Sequence, residues 1–166
     1  KKVIIEGQKT AYFSEKFLEI TVPVTTKEQI KEIKKTVTHI AKKHDEEPYK
    51  ALATTQQAIF HQLEEQDEID AAAIFDKVFE EKPLAREAAQ LAITEERVPE
   101  KIAVTNVPKY ERKYSKQKFK LDNGIEITIP SEIYENKEMV EFINNPDGSV
   151  SVLIKNIESI LNKFNA

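Results

Sequence analysis

The chain has 166 residues and a net charge of −4, and 40% of its residues are apolar and 33% charged. This length and composition suit one ordinary domain, or two small lobes that share a core. The acidic balance excludes a uniformly basic DNA-coating protein. The absence of cysteine excludes disulfides and thiolate chemistry and fits a cytosolic compartment. No run approaches the roughly 20 apolar residues that a transmembrane helix needs, so no membrane span is expected.

The charge is unevenly distributed along the chain. Residues 1–100 carry 15 basic and 20 acidic side chains, a net charge of −5. Residues 101–166 carry 10 basic and 9 acidic side chains, a net charge of +1. An anionic partner is therefore expected to prefer the second half of the chain.

The first elements in chain order are a hairpin and a long helix. Apolar runs at residues 3–5 and 11–13 flank a turn-like segment and predict a short hairpin. Thr25 and Glu28 then match a capping box, and the apolar residues that follow repeat at helical spacing. Lysines opposite such an apolar stripe more commonly form a face exposed to solvent, and contact with phosphates is the alternative. These lysines are Lys27, Lys31, Lys34, Lys35, Lys42 and Lys43.

Three further helices are predicted before the residue pattern changes from helical spacing to alternation. The first begins near Pro48, because proline is tolerated in a first helical turn. Asp70 can cap the next helix, and Pro83 precedes another over residues 84–93. The acidic residues 64–68 are interpreted as solvated helix ends. The short connections predict antiparallel packing into a small bundle.

The last third of the chain alternates between apolar and polar residues from about residue 119. Turn sequences at residues 122–124 and 145–148 separate these runs and predict hairpins. Residues 157–164 return to helical spacing and predict a last helix on the sheet. The predicted fold class is therefore α+β, a small helical bundle followed by an antiparallel β-meander with a C-terminal helix. Residues 1–107 form the mainly helical region and residues 108–166 the sheet with its helix, and together they are expected to form one compact unit.

No residue pattern indicates catalysis. His39, His44 and His61 are the only histidines, no HExxH sequence is present, and a zinc site would lack thiolates. The serines lack a GxSxG nucleophile pattern, and the acidic residues lack the alternating ligands of a calcium loop. The sequence therefore predicts a protein that is not an enzyme and that holds no metal or cofactor.

One segment, residues 109–120, combines six basic residues with a single acid and three aromatic residues. Cations attract phosphates through counterion release, and aromatic rings can stack on exposed bases. The alternative is structural, because alternating lysines are also typical of the solvent face of a strand whose charged edge prevents unwanted sheet pairing. The predicted nucleic-acid-binding residues are Lys109, Tyr110, Arg112, Lys113, Tyr114, Lys116, Lys118 and Lys120.

Two parts of the chain resemble a known family. Residues 124–130 (GIEITIP) and 140–157 (VEFINNPDGSVSVLIKNI) are similar to the terminal strand block of the bacterial nucleoid-associated proteins of the NdpA/YejK type. Residues 12–18 (YFSEKFL) resemble the segment that precedes the helical region of that family. The resemblance implies a cytoplasmic, nucleoid-associated and non-enzymatic protein. It also implies that the chain, which does not begin with Met, is the C-terminal half of a longer protein.

Residue chemistry and resemblance together give a leading hypothesis, a nucleoid-associated protein fragment that binds DNA weakly and without strong sequence preference. The alternative is a protein-interaction or dimerisation module that uses a sheet edge or an apolar helix face, in keeping with the net negative charge. An unrecognised hydrolase comes third. No small-molecule substrate is evident.

Overall fold

The computed structural model of the protein describes residues 25–164. The chain divides into two compact units, Lys1–Lys31 and Glu32–Ala166. The hairpin predicted for residues 3–13 lies outside the described residues. The division predicted between residues 107 and 108 stays a prediction.

The first described helix, α1, spans Thr26–Lys43 and starts as the sequence predicts. The Glu28 amide donates to Thr25 Oγ1 at 3.1 Å, and the Thr25 amide donates to Glu28 Oε1 at 3.0 Å. These reciprocal bonds satisfy donors that a helix start leaves unpaired. The hydrogen bond from the Thr25 amide, together with one from the Thr25 hydroxyl at 3.2 Å, lowers the pKa of the Glu28 carboxyl. Within the second unit, Ile33, Val37 and Ile40 form the buried stripe of this helix.

Three helices form the centre of the second unit: α2 (Pro48–Glu65), α3 (Ala71–Val78) and α4 (Pro83–Thr94). Helix α3 contacts both α2 and α4 and buries Ile74 and Phe75 completely. The Asp70 carboxylate accepts the Ala73 amide at 3.2 Å, which confirms the predicted N-cap. None of the helices among residues 25–164 is long and apolar enough to cross a membrane.

A short antiparallel pair joins the two ends of this helical region. Strand β1 (Glu68–Asp70) pairs with β2 (Lys101–Ala103), and Ile69 lies opposite Ile102. Both isoleucines are almost fully buried. The sequence prediction of solvated helix ends missed β1, because a three-residue strand inside an acidic stretch leaves no periodic signal.

The basic segment forms a helix followed by a strand. Helix α5 covers Val107–Tyr114, and strand β3 (Lys116–Lys120) pairs antiparallel with β4 (Glu126–Pro130). The turn between the strands uses Gly124 at φ +94°, a conformation that glycine adopts without steric cost. Helix α5 was not predicted from the sequence, and Pro108 would break a helix interior. In the structure this proline lies in the first turn, where the missing amide is harmless.

The remaining elements are helix α6 (Ser131–Tyr134) and the strands β5 (Val140–Asn144) and β6 (Val150–Ile154). Strands β5 and β6 pair antiparallel through the predicted turn, in which the Gly148 amide donates to Asn145 O at 3.0 Å. Four rings with centroids 5.1–5.8 Å apart link α2, β3, α6 and β5. They are Tyr49, Phe119, Tyr134 and Phe142.

The α+β class is confirmed, with helices first and antiparallel strand pairs last. Two details of the prediction are wrong. The strands of the described part form three separate two-stranded sheets rather than one meander, because β4 ends at Pro130 and α6 intervenes before β5. Residues 155–164 form no helix. An isolated helix this short is unstable in water, and Ile160, Leu161 and Phe164 are each more than 80% exposed.

Candidate nucleic-acid interface

Helix α5 presents three cations to solvent. The Asn106 side chain caps the helix by accepting the Lys109 amide at 3.3 Å. Tyr110 packs into the core with 7% of its surface exposed. Arg112 and Lys113 lie three and four residues after Lys109, so the three cations share one stripe of the helix beside the buried tyrosine. Lys109, Arg112 and Lys113 are all exposed there. Arg112 and Lys113 in the last turn also complement the negative end of the helix dipole.

The two tyrosines of the segment are buried to different extents. Tyr110 is buried, and Tyr114 is half-buried, with ring centroids 6.1 Å apart. Burial, with a smaller contribution from Tyr110, raises the pKa of Tyr114 to about 12. The ammonium groups of Lys109 and Lys113 lie 5.4 and 5.9 Å from the neighbouring tyrosine ring centroids. The predicted stacking of these rings on bases therefore has no open ring face at Tyr110.

Strand β3 presents a row of three lysines. Lys116, Lys118 and Lys120 are exposed, whereas Gln117 is 2% exposed and Phe119 is half-buried. Alternate residues of a strand lie about 6.6–6.8 Å apart on one face. Across the hairpin these lysines pair with exposed residues of β4, and the sole carboxylate among them, Glu126, lies opposite Lys120. The paired residues are Pro130, Thr128 and Glu126.

The six cations of the segment stand apart from the carboxylates of the described part. None of them forms an ion pair with a carboxylate among residues 25–164, whereas Lys82, Arg97, Lys101 and Lys155 each do. Two residues, Tyr114 and Ser115, separate the last α5 cation from the first lysine of the β3 row. Two adjacent elements therefore carry an exposed basic surface, and we call these six residues the basic surface: Lys109, Arg112, Lys113, Lys116, Lys118 and Lys120.

A buried amide network fixes β3 against α2. Gln117 Nε2 donates to Ala53 O at 2.9 Å and to Gln57 Oε1 at 3.1 Å, and Gln57 Nε2 donates to Ser131 O at 2.9 Å. Gln56 Nε2 donates to Lys116 O at 2.7 Å. Each amide bridges elements that are distant in sequence, so the network sets where the lysine row lies relative to the helices. Sequence reasoning missed it, although an amide at an inward strand position such as 117 was a usable signal.

Replacing Gln117 by leucine should lower the free energy of unfolding by about 1–3 kcal/mol. The substitution leaves the buried Gln57 Oε1 without its donor, and an unpaired buried polar atom is destabilising by that amount. Urea denaturation of both proteins measures the difference. Gln66→Leu is the matched control, because Gln66 is exposed. Equal stability of Q117L and the parent protein would show that the network contributes nothing.

His61 of α2 lies beside this amide network and contacts Glu135, the residue that follows α6. His61 Nε2 lies 2.6 Å from Glu135 Oε2, and His61 Nδ1 lies 3.2 Å from Glu64 Oε1. Gln57 also donates to the Glu135 carboxylate. Partial burial lowers the pKa of His61, but hydrogen bonds and charge attraction from the two carboxylates outweigh it, and the net pKa is raised.

The raised pKa of His61 predicts a small dependence of stability on pH. Its contribution is fully present below the unfolded pKa of about 6.5 and is lost as the pH rises through the higher folded value. Because the ring is about half exposed, we expect less than about 1 kcal/mol. Unfolding measured between pH 5.5 and 8 should show this loss in the parent protein but not in His61→Gln. His39→Gln, at an exposed position, should retain the slope of the parent.

The other two histidines are not part of this hydrogen-bonded cluster. His39 is exposed on α1, and His44 contributes its backbone carbonyl as the acceptor for Lys82 Nζ at 2.9 Å. Among residues 25–164, no group of three histidines and carboxylates could hold a metal ion. The arrangement of charges at the surface is therefore the chemically distinctive feature of the described part.

Comparison with known proteins identifies the chain at family level. The family described as nucleoid-associated protein YejK matches residues 2–162, which is nearly the whole chain. No curated protein and no solved structure gives a significant match. The description of this family names nucleoid association and no enzymatic reaction. The chain belongs to the nucleoid-associated protein YejK family.

Proposed function

We propose that this protein is a non-enzymatic, cytoplasmic component of the bacterial nucleoid that binds duplex DNA weakly and without strong sequence preference. The basic surface supplies the contacts to DNA phosphates. Membership of the nucleoid-associated family supports the cellular role. The single observation that supports this binding surface is the set of six exposed cations that have no carboxylate partner among residues 25–164.

Phosphate contact explains weak and non-specific binding. Sequence is read from base edges in the grooves, whereas lysine and arginine contacts to phosphates carry no sequence information. Within residues 109–120 the cations outnumber the acids by five, but the chain as a whole carries a net charge of −4. The rest of the protein therefore opposes the approach of a polyanion, and the local attraction has to overcome it.

The buried aromatic residues favour duplex over single-stranded DNA. Proteins that bind single strands stack bases on exposed aromatic side chains. In this segment Tyr110 is buried, Tyr114 is half-buried, and Phe119 packs against Tyr134 and Phe142. A surface with six exposed cations and no fully exposed ring suits the regularly spaced phosphates of a duplex.

A binding titration against duplex DNA at 50 and 200 mM salt tests this function. If all six cations contact phosphates, the logarithm of the affinity should fall with the logarithm of salt concentration with a slope near −5, which is about a thousandfold loss over this range. A single strand of equal length should not bind more tightly. Absence of binding at 50 mM salt would reject DNA contact by this chain, and salt-independent binding would reject the phosphate mechanism.

A further inference from the structure

The last hairpin of the chain has a strand edge whose backbone groups have no partner among residues 25–164. The Asn145 amide donates to Ser149 O at 2.8 Å. At the other end of the hairpin, the Lys155 amide donates to Met139 O at 2.9 Å. Antiparallel strands alternate between residue pairs that exchange hydrogen bonds and pairs that do not. Because both bonds join odd-numbered residues, the odd-numbered residues of β6 bond to β5. The amides and carbonyls of the even-numbered residues point to the opposite side, and we call these groups the β6 edge: Val150, Val152 and Ile154.

The β6 edge is open to solvent. Apart from the β5–β6 ladder, no backbone hydrogen bond among residues 25–164 involves it, and Val150 and Ile154 are 39% and 53% exposed. The outer edge of β5 is different, because the Val140 amide donates to Asn136 O at 3.1 Å and Val140 is 4% exposed. The side of this hairpin along which a further strand can pair is therefore β6.

The β3–β4 hairpin carries the usual protection against edge pairing, and β6 does not. In that hairpin the Ser131 amide donates to Ser115 O at 2.8 Å, so the even-numbered residues again point outward. At these positions β4 has Glu126 and Pro130, and β3 has the three lysines of the basic surface. Charged side chains and proline at an edge prevent pairing with another chain. Strand β6 has the sequence VSVLI, with neither a charge nor a proline.

The β6 edge is complementary to the β6 edge of a second copy in antiparallel orientation. With a two-fold axis at Val152, this residue lies opposite Val152 of the second copy, and Val150 lies opposite Ile154. All three outward residues then stand in hydrogen-bonded pairs, which gives about six hydrogen bonds between the chains. A shift by two residues keeps only two of these pairs within β6. The symmetric register is therefore the one that satisfies every free backbone group of the edge.

The side chains are compatible with the same register. On one face of the paired strands β-branched residues meet β-branched residues, and on the other face Ser151 meets Leu153. The first charge after β6, Lys155, falls opposite Ser149 and is already paired with Glu141 at 3.1 Å. No like charges therefore come together when the two strands pair.

We propose that the protein self-associates through antiparallel pairing of β6 with β6 of a second copy, which joins two hairpins into one four-stranded sheet. A two-stranded hairpin is only marginally stable by itself, and sheets of three or more strands are more stable. The interface gains about six hydrogen bonds, within the range of about 5–15 that is typical of protein interfaces. This pairing does not depend on the DNA-binding role of the basic surface.

Sedimentation of the whole 166-residue chain over a range of concentrations tests the pairing. The parent protein should shift from monomer to dimer as its concentration rises. Val152→Pro should weaken the dimer by at least about tenfold, because it removes the two central interchain hydrogen bonds and leaves the bonds to β5 in place. Thr128→Pro is the matched control, since it removes an outward amide from β4, outside the proposed interface. A parent protein that stays monomeric at several hundred micromolar, or an equal effect of both variants, overturns the proposal.

Hydrogen exchange of the parent protein tests the same edge without any substitution. At low concentration the amides of the β6 edge should exchange rapidly, whereas those of Ser151 and Leu153 are protected by their bonds to β5. In a sample that is mostly dimeric, exchange at the three outward amides should slow by at least about fivefold. A dimer whose outward amides stay unprotected pairs through another surface and overturns the proposal.

A pair of charges tests the antiparallel register. Positions 150 and 154 are exposed and lie opposite each other across the two-fold axis. V150K/I154E brings opposite charges together and should dimerise at least about fivefold more tightly than V150K/I154K, in which like charges meet. Equal dimerisation of the two double variants overturns the register. DNA titration of V152P separates the two proposals, because the basic surface stays intact and the affinity for DNA should equal that of the parent protein.

Discussion

Replacing Lys116, Lys118 and Lys120 together by glutamine is expected to weaken binding to duplex DNA by at least about tenfold at 50 mM salt. Each lost phosphate contact removes about 0.9 from the salt slope. The magnitude of the slope should therefore fall by about 2.7 in the triple variant. The loss should be the same for unrelated DNA sequences, because these lysines contact phosphates and not base edges. Fluorescence anisotropy titrations at several salt concentrations measure both quantities.

The matched control removes the same charge from elsewhere. Lys42, Lys43 and Lys77 are exposed and lie outside the basic surface, so their triple glutamine variant shares the change in net charge. It should retain a salt slope close to that of the parent protein. If both triple variants lose affinity and slope equally, overall charge drives binding and the basic surface has no special role. A greater loss in the control would assign DNA contact to the lysines of α1 instead.

Replacing Phe75 by alanine is expected to lower the free energy of unfolding by about 3–5 kcal/mol. Phe75 is completely buried on α3, which packs against both α2 and α4. The substitution removes apolar contacts and leaves a cavity that the surrounding helices fill only in part. In a protein of this size the thermal midpoint should fall by about 6–20 °C. Differential scanning calorimetry and urea denaturation check the two values.

The control for Phe75 is a leucine at the surface. Leu84 is 70% exposed in the first turn of α4, and Leu84→Ala should change stability by less than about 0.5 kcal/mol. The Phe75→Ala variant, studied well below its midpoint, should bind DNA with the affinity of the parent protein. A large loss of DNA affinity in the folded variant would mean that the helical core and the basic surface are coupled.

The sequence predicted the structure correctly where a single residue type satisfies a local requirement of the backbone. The capping box at Thr25 and Glu28, the N-cap at Asp70 and the turn glycine at position 124 each satisfy a backbone requirement within a few residues. The exposed cations at alternate positions of β3 follow from period-two alternation alone. The helix α5 was missed because proline marks both a helix start and a helix break.

The periodicity of apolar residues does not predict contacts between residues that are distant in sequence. Gln117 bonds to Ala53 and Gln57, about sixty residues away, and only the folded chain brings them together. His61 and Glu135 meet across 74 residues for the same reason. The pairing of β1 with β2 likewise joins two strands that α3 and α4 separate in sequence, which no local pattern encodes.

The α+β class, most helix starts, the hairpin turns and the cluster of charges at residues 109–120 are predictable from residue order, because they depend on local backbone chemistry and on charge. Only the folded chain shows which side chains of that cluster face solvent. It buries Tyr110 and Gln117 while leaving six cations in solvent, since inward positions must meet α2 and outward positions meet water. Residues 155–164 form no helix despite their helical spacing, and Ile160, Leu161 and Phe164 are each more than 80% exposed.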